Sequence, residues 1–380
     1  MNNKYTFHLL GLAHLPVSEK YGSCAFTQKI VKMAKMLMGM GHTVYLYGAE
    51  GSDAPCTEFI QTHTLKDIRE AWGNGDNRFE IGYDWQNNEF RHDFNKERTE
   101  ATKKYFAKAI EEINKRKKPD DFLMITQGVY QREIDKAVGL YLTIEPGIGY
   151  RGSYAKFRAF ESSYLQNFTY GSEFPKQSIN GRFYDRVIPN YYDPKDFPGD
   201  QIVTEKSDYY LYVGRQIQRK GIDIAIKTCD ILGVKLKIAG QGKYQTKSKN
   251  VEFVGYVDSK KRFELMTNAI ATFVPTLYLE AFGGVAVESM LCGTPVISTN
   301  FGVFPETVIN RVTGFRGNVL ADFVAGAVLA KDLDAWTVRK NADKFLIHNV
   351  QKQFQAWFDD MYANYESTIS DKKGWHRVYD

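Results

Sequence analysis

The chain has 380 residues, of which 43% are hydrophobic and 25% are charged, and its formal net charge is +5. This length predicts two to three domains that each bury a core, and the composition is ordinary for a soluble globular protein. The small positive excess suits anionic ligands but does not indicate a nucleic-acid-binding protein.

The first half of the chain alternates predicted strands and helices. Tyr5–Leu12 and Thr43–Gly48 have the pattern of strands, and Phe26–Met40 between them has that of a helix, which together predict a parallel sheet. The loop after the first strand, His14–Cys24, lacks G-x-G-x-x-G, and G-x-x-x-x-G-K-[ST] occurs nowhere in the chain. A dinucleotide-binding dehydrogenase and a P-loop NTPase are therefore disfavoured. Further along, we predict an irregular excursion over 50–95, a helix over Glu97–Lys118, and strands over Asp121–Thr126 and Gly139–Ile144.

A second α/β pattern begins after a proline-rich connection, and we place the domain boundary between about residues 195 and 207. Its predicted strands are Tyr209–Gly214, Val234–Ala239, Val251–Val254, Ala271–Leu277 and Pro295–Ser298. Its predicted helices are Asp223–Leu232, Lys260–Asn268, Val285–Leu291 and the long amphipathic region Val338–Ile369.

The four cysteines are far apart and form no C-x-x-C pair. This spacing argues against a disulfide framework or a zinc site and predicts reduced thiols in a cytosol. No apolar stretch approaches the roughly 20 residues that span a bilayer, and no cleavage site follows the first predicted strand. We therefore expect a cytoplasmic protein, and a peripheral contact with a membrane is compatible with this expectation.

A glycine pair lies between two glutamates in the second half of the chain. Glu280 and Glu288 flank seven residues that include Gly283 and Gly284. The stretch joins a predicted strand to a predicted helix, so it lies at a helix amino terminus, where unpaired N–H groups favour an anion. Glycines let a phosphate approach the backbone closely. The alternative is an ordinary helix entry in which Glu280 is a cap and Glu288 is solvated.

A second motif is the loop Val213–Gly221, which follows another predicted strand. Its Arg215 and Lys220 can both reach one diphosphate, because arginine supplies a forked donor and lysine a point charge. Gly214 stands beside them. The alternative is that both cations are solvated.

Together these two motifs resemble the nucleotide-binding domain of family 4 retaining glycosyltransferases, which have the GT-B fold. The resemblance extends, in the family's order, through Val187–Asn190, Gly240–Gly242, Val254–Tyr256, Gly293–Val296, Pro305–Glu306 and Gly314. The first half of the chain resembles the family only in its layout.

The resemblance implies an α/β fold of two Rossmann-like domains whose parallel sheets face each other across a cleft. We assign residues 1–195 to an N-terminal, acceptor-side domain and residues 196–355 to a C-terminal domain that binds the nucleotide sugar. Residues 356–380 are expected to form a helix that returns to the first domain.

The implied reaction moves a sugar from a UDP- or GDP-sugar to a hydroxyl of a glycan or glycolipid, with retention of configuration. By the resemblance, Arg215, Lys220 and Glu280 are catalytic, and no metal or cofactor other than the donor is expected. The residues assigned to donor binding are Gly22, Ser23, Gly214, Tyr256, Phe282, Gly283, Gly284 and Glu288.

The acceptor is assigned to the first domain through Tyr21, Glu145 and Tyr150, which we expect at strand carboxyl ends. Two departures from the family concern the donor sugar: Gly22 is followed by serine rather than a second glycine, and Gln127 stands where many members have a histidine. The alternatives are a nucleotide-sugar epimerase or phosphorylase on the same fold and a non-catalytic nucleotide-sugar binder.

Overall fold

The computed structural model describes residues 3–22, 24–72, 98–173 and 182–369. Ser23, which the sequence assigns to donor binding, lies outside these ranges, as do residues 73–95 of the predicted excursion and residues 370–380 of the predicted returning helix.

The first domain is built on a seven-stranded parallel sheet in the order β3-β2-β1-β4-β5-β6-β7. Strands β1 to β7 are Thr6–Leu10, Thr43–Ala49, Glu58–His63, Phe122–Met124, Leu142–Ile148, Phe157–Phe160 and Arg186–Val187. Helices α1 to α5 are Ala25–Gly39, Leu65–Trp72, Glu100–Arg116, Arg132–Val138 and Ser163–Glu173.

The second domain has a six-stranded parallel sheet in the order β10-β9-β8-β11-β12-β13. Strands β8 to β13 are Tyr209–Val213, Lys235–Ala239, Val251–Gly255, Thr272–Val274, Val296–Thr299 and Gly314–Gly317. Helices α6 to α12 are Ile222–Leu232, Ser259–Asn268, Gly284–Leu291, Phe304–Thr307, Leu320–Leu329, Ala335–Ala342 and Ile347–Ile369. The prediction of two parallel-sheet domains is confirmed.

Three predicted elements differ from the structure. Residues 58–72 are not irregular but form β3 and α2, which the sequence conceals because β3 is a polar edge strand with three exposed positions. Glu145 lies inside β5 rather than after it. The long helical region after Val338 is interrupted at Asp343–Phe345, where a short 3-10 helix separates α11 from α12.

The chain crosses between the two domains twice, and the two crossing segments lie side by side. Tyr192, on the way into the second domain, pairs with Leu346, on the way out. The N–H of Tyr192 donates to Phe345 O at 2.9 Å, and the N–H of Ile347 donates to Tyr192 O at 2.9 Å. Helix α12 then packs on the first domain. Ile347 packs against that core and Val350 is buried in it, so the return starts before residue 356.

No helix within the described ranges combines the length and the apolar character needed to cross a membrane.

Candidate functional site

The two domains enclose a cavity of about 540 Å³, and one helix face from each domain forms its walls. Helix α1 contributes residues 25, 28, 29 and 32, and α7 contributes residues 259, 262, 263 and 266. Both sets have the spacing of a single helix face. Gly22 and Tyr256, two residues assigned to donor binding, also line this cavity. The structure therefore places them in the predicted cleft.

A second cavity of about 210 Å³ lies against the carboxyl ends of β8 and β11. Lys220, Glu280, Gly283, Gly284 and Glu288 line it together, although 68 positions separate the first from the last. Glu288 also lines the larger cavity, so the two spaces meet at this carboxylate. A ligand with an anionic part and a nucleoside part could occupy both.

Lys220 and Glu280 form an ion pair in the smaller cavity. Lys220 Nζ donates to Glu280 Oε2 at 2.8 Å, and the side chains are 22% and 20% exposed. The ammonium also lies 4.8 Å from the centre of the Tyr278 ring. Burial alone would lower the pKa of Lys220, but Glu280 and Tyr278 outweigh burial and raise it above its ordinary value. The lysine therefore stays charged at neutral pH. The sequence predicts both residues at the site but not their contact.

The amino terminus of α8 points into the same cavity. Gly283 precedes the helix in a left-handed conformation, with φ 74°, and no side chain caps it. A Cβ at Gly283 would also lie 3.0 Å from the Phe304 ring, so glycine is required there. In the part of the chain that the structure describes, the N–H groups of Gly284 and Val285 donate to no acceptor. The interpretation of Glu280 as the helix cap is therefore wrong, and an anion can be bound here.

The loop before α6 holds Lys220 in place by close backbone packing. Gly221 has φ 74°, and a Cβ there would lie 1.9 Å from Pro275 O. The N–H of Leu277 donates to Arg219 O at 2.9 Å, which ties this loop to the chain before Glu280.

Arg215 is not among the residues that line the smaller cavity. Its backbone oxygen accepts from the Tyr212 hydroxyl at 2.9 Å, and its guanidinium makes no ion pair with any residue in the described ranges. Gly214 lies beside Gly240 so closely that a Cβ on Gly240 would be 2.0 Å from Gly214 O. The structure thus brings Lys220 to the site, and the contact of Arg215 with a diphosphate stays a prediction.

Glu288 has a partner that the sequence analysis missed. Arg262 Nε lies 2.9 Å from Glu288 Oε2, with the two side chains 33% and 15% exposed. Arg262 stands in the basic run Lys260-Lys-Arg262, and the sequence predicts only that this run begins a helix. Nothing in the local pattern shows that α7 and α8 lie side by side.

Two lysines on α1 are further cleft residues that the sequence analysis missed. Lys29 Nζ pairs with Glu161 at 2.8 Å. Lys32 Nζ donates to Asn190 Oδ1 at 2.7 Å and Tyr191 O at 2.8 Å, and it lies 4.8 Å from the centre of the Tyr192 ring. Burial lowers the pKa of Lys32 to about 8, although the negative charge of Glu161 acts to raise it. Lys29 and Lys32 are three residues apart in a predicted helix, and this spacing could have indicated that both lie on one helix face.

Phe282 is a core residue rather than a donor contact. It is 5% exposed, and its ring packs against Tyr192 and Phe345. The left-handed conformation of Gly283 turns the chain just after Phe282, so the preceding side chain enters the core of the second domain.

Glu145 is buried and fully engaged, so its assignment to an acceptor surface is wrong. Its carboxylate accepts from the N–H groups of Tyr154 and Ala155 at 2.9 and 3.1 Å and from the Tyr150 hydroxyl at 2.9 Å. Burial raises the pKa of Glu145.

The two tyrosines assigned to the acceptor lie away from both cavities. The hydrogen bond to Glu145 ties Tyr150 to β5, and the Tyr150 ring packs against Phe26. Tyr21 is half-buried against the first-domain core. Neither tyrosine lines the two cavities.

No group of three or more histidine, cysteine or acidic side chains in the described ranges is arranged to hold a metal ion. The four cysteines are free.

Comparison with known proteins finds a family match in the second domain. Residues 195–319 match the model of the family described as glycosyl transferases group 1. The glycogen synthase of Mycobacterium tuberculosis is 36% identical over 119 residues, which cover 27% of this chain and 28% of that protein. The capsular polysaccharide biosynthesis glycosyltransferase CapM of Staphylococcus aureus is 31% identical over 185 residues, which cover 43% and 47%. The chain therefore spans less than half the length of these two relatives.

The whole fold also has solved counterparts. The sucrose-phosphate synthase of Thermosynechococcus elongatus superposes with a TM-score of 0.66 over 95% of this chain and 100% of that chain, at 16% identity. This likeness concerns the two-domain architecture.

Proposed function

Residues 195–319 match the family described as glycosyl transferases group 1, and on that premise we propose that the protein is a retaining glycosyltransferase. It moves a sugar from a UDP- or GDP-sugar to a hydroxyl of a glycan or glycolipid acceptor. It requires no metal or cofactor other than the donor.

One observation carries this proposal. A charged lysine, a carboxylate and the uncapped amino terminus of α8 converge on one cavity of the second domain, which shares Glu288 with the cavity between the domains. A nucleoside diphosphate leaving group needs hydrogen-bond donors and positive charge for its developing negative charge, and the transferred sugar needs a negatively charged group near its developing positive charge. Lys220 and the N–H groups of Gly284 and Val285 serve the diphosphate, and the Glu280 carboxylate serves the sugar.

The proposed binding mode divides the donor between the two cavities. The diphosphate lies at Lys220 and the start of α8, and Arg215 closes on it from the neighbouring loop. The ribose hydroxyls bind Glu288, and the base packs beside Tyr256, which is 47% exposed. On binding, the diphosphate draws Lys220 from Glu280, which leaves that carboxylate for a hydroxyl of the sugar ring.

The acceptor is proposed to enter from the first domain, since α1 forms the opposite wall. An acceptor oxygen that approaches on the face from which the diphosphate leaves gives retention of configuration. The departing diphosphate, which lies on that face, can take the acceptor proton. This mode of transfer needs no protein nucleophile, and Gln127 does not have to act as an acid or base.

The test is incubation of the purified protein with a panel of UDP- and GDP-sugars, followed by chromatography that resolves free nucleoside diphosphate from any epimerised donor. We expect release of nucleoside diphosphate with at least one donor and its acceleration by a glycan or glycolipid acceptor. Lys220→Met should abolish the release, and Lys227→Met, an exposed lysine on α6, is the matched control. An epimer without free diphosphate would establish the epimerase instead, and binding without turnover would establish the non-catalytic binder.

A further inference from the structure

The ion pair between Arg262 and Glu288 stands where the two cavities meet. Arg262 Nε lies 2.9 Å from Glu288 Oε2. Both residues line the larger cavity, and Glu288 also lines the smaller one. The pair thus joins α7 to α8 at the boundary between the space for an anionic group and the space beside Tyr256.

Packing alone does not account for two charges at this position. Withdrawing an ion pair from water costs free energy that its mutual attraction often fails to recover, so apolar residues would join the helices equally well. The neighbours of Arg262 on the same face of α7 are Phe263 and Met266, which do pack in that way. A charged pair at the cavity wall is explained by a ligand that the carboxylate must bind in one orientation.

The carboxylate is held from more than one side. The Tyr192 hydroxyl donates to Gly284 O at 3.2 Å, in the first turn of the helix that carries Glu288. Burial first and then the charge of Glu288 raise the pKa of Tyr192, so this hydroxyl keeps its proton beside the carboxylate. Arg262 occupies Oε2 of Glu288, and the second oxygen remains an acceptor for hydroxyl groups of a ligand.

We infer that Arg262 is a positioning residue for the nucleoside half of the donor: it fixes Glu288 so that the carboxylate accepts the ribose hydroxyls. This inference rests on the proposed function, because it takes a nucleoside diphosphate as the ligand. Arg262 therefore controls the affinity for the nucleotide and not the chemical step, since the ribose is remote from the bond that breaks.

The experiment measures binding of UDP, GDP, ADP and CDP by titration calorimetry, without turnover. For the nucleotide that the wild-type protein binds most tightly, Arg262→Met should raise the Kd roughly tenfold, the scale expected for one charge-assisted contact. Because Arg262 acts through Glu288, the double variant R262M/E288Q should bind no more weakly than E288Q alone. Arg262→Lys, which keeps the charge, should recover part of the lost affinity.

Melting temperature and kinetics separate positioning from a merely structural role. R262M should melt within a few degrees of the wild type and raise the donor KM with little change in kcat. Lys261→Ala is the matched control, because Lys261 is the next residue on α7 and pairs with Glu264 instead; its Kd should equal that of the wild type. Unchanged binding by R262M, or additive losses in the double variant, would overturn the inference alone. Absence of any nucleotide binding by the wild type would overturn the proposed function and the inference with it.

Discussion

Glu280 and Glu288 lie on opposite sides of the glycine pair, and each has its own cationic partner, Lys220 and Arg262. This separation predicts different kinetic defects. Glu280→Gln keeps the shape and one acceptor oxygen but removes the negative charge that we propose stabilises the anomeric carbon. We expect kcat to fall roughly 100-fold, by analogy with loss of one oxyanion donor, with no rise in the donor KM.

Glu288→Gln should instead raise the donor KM roughly tenfold with a smaller effect on kcat, because it removes binding felt equally in the ground and transition states. Steady-state kinetics of the two variants, with their melting temperatures, decide the matter. Equal kinetic defects would show that the roles are divided wrongly. Lower melting temperatures with normal kinetics would make both residues structural.

Three buried histidines in the first domain predict acid sensitivity. Burial lowers the pKa of His14 to about 3 and that of His42 to about 4, and it also lowers the pKa of His63. Below the ordinary pKa near 6.5, the unfolded chain binds protons that the folded chain excludes, so stability falls as the pH drops. Each histidine can remove up to about 1.4 kcal/mol per pH unit between about pH 6.5 and its folded pKa.

Urea unfolding at pH 7, 6, 5 and 4.5 tests this dependence. His42→Asn retains an acceptor for the Tyr5 N–H, which donates to His42 Nδ1 at 3.2 Å. The variant should therefore lose stability less steeply with acid than the wild type. Equal slopes for the two proteins would contradict the prediction for His42.

At the scale of an element, the amino terminus of α5 is capped from the other domain. The N–H groups of Ser163 and Tyr164 donate to the Glu306 carboxylate at 2.9 and 2.6 Å, and the Ser162 hydroxyl donates to Ala281 O at 2.6 Å. A carboxylate at this end of a helix also offsets the helix dipole. These bonds connect the first domain to Ala281, the residue next to Glu280, so α5 supports the loop that carries Glu280.

Glu306→Ala should cost about 1 kcal/mol of stability, as loss of a helix cap does, and should expose the α5 amides to faster hydrogen exchange. It should also lower kcat, because the loop that carries Glu280 loses its support. Asp322→Ala is the matched control: Asp322 accepts the N–H groups of Asn318 and Val319 at the start of α10, within one domain. That control should lose comparable stability without faster exchange in α5. Unchanged α5 exchange in Glu306→Ala would refute the interdomain cap.

At the scale of the whole molecule, α12 is the packed connection from the second domain back to the first. Trp357 is 1% exposed in the first-domain core, and its Nε1 donates to Tyr184 O at 3.1 Å. Trp357→Ala removes this packing and leaves a cavity, which costs roughly 3–5 kcal/mol for a buried tryptophan. Urea unfolding should show that loss. Trp336→Ala, at a tryptophan that is 52% exposed, should stay within about 0.5 kcal/mol of the wild type. Equal losses would mean that α12 does not support the first domain.

Much of the fold follows from local pattern. Apolar runs predict the core strands, and Gly41 and Gly293 end the helices before them in left-handed conformations. Since strands and helices alternate, the parallel sheets and the position of the ligand loops at strand carboxyl ends also follow. Edge strand β3 was not predicted, because an edge strand with a polar outer face has no apolar run that would indicate a strand.

The amino-acid sequence by itself determined which residues stand at the site: the glycines, Lys220 and Glu280 in the two loops, and Glu288 in the helix that follows the second loop. The left-handed turns at Gly221 and Gly283 are local properties, since a positive φ strongly favours glycine. Only the tertiary structure decided the partners. The contacts of Arg262 with Glu288 and of Glu306 with α5, and the burial of Phe282 and Glu145, each depend on how separate elements pack. A periodic pattern shows which face of an element is apolar, but the identity of the element that covers it is set by packing between segments distant in the chain.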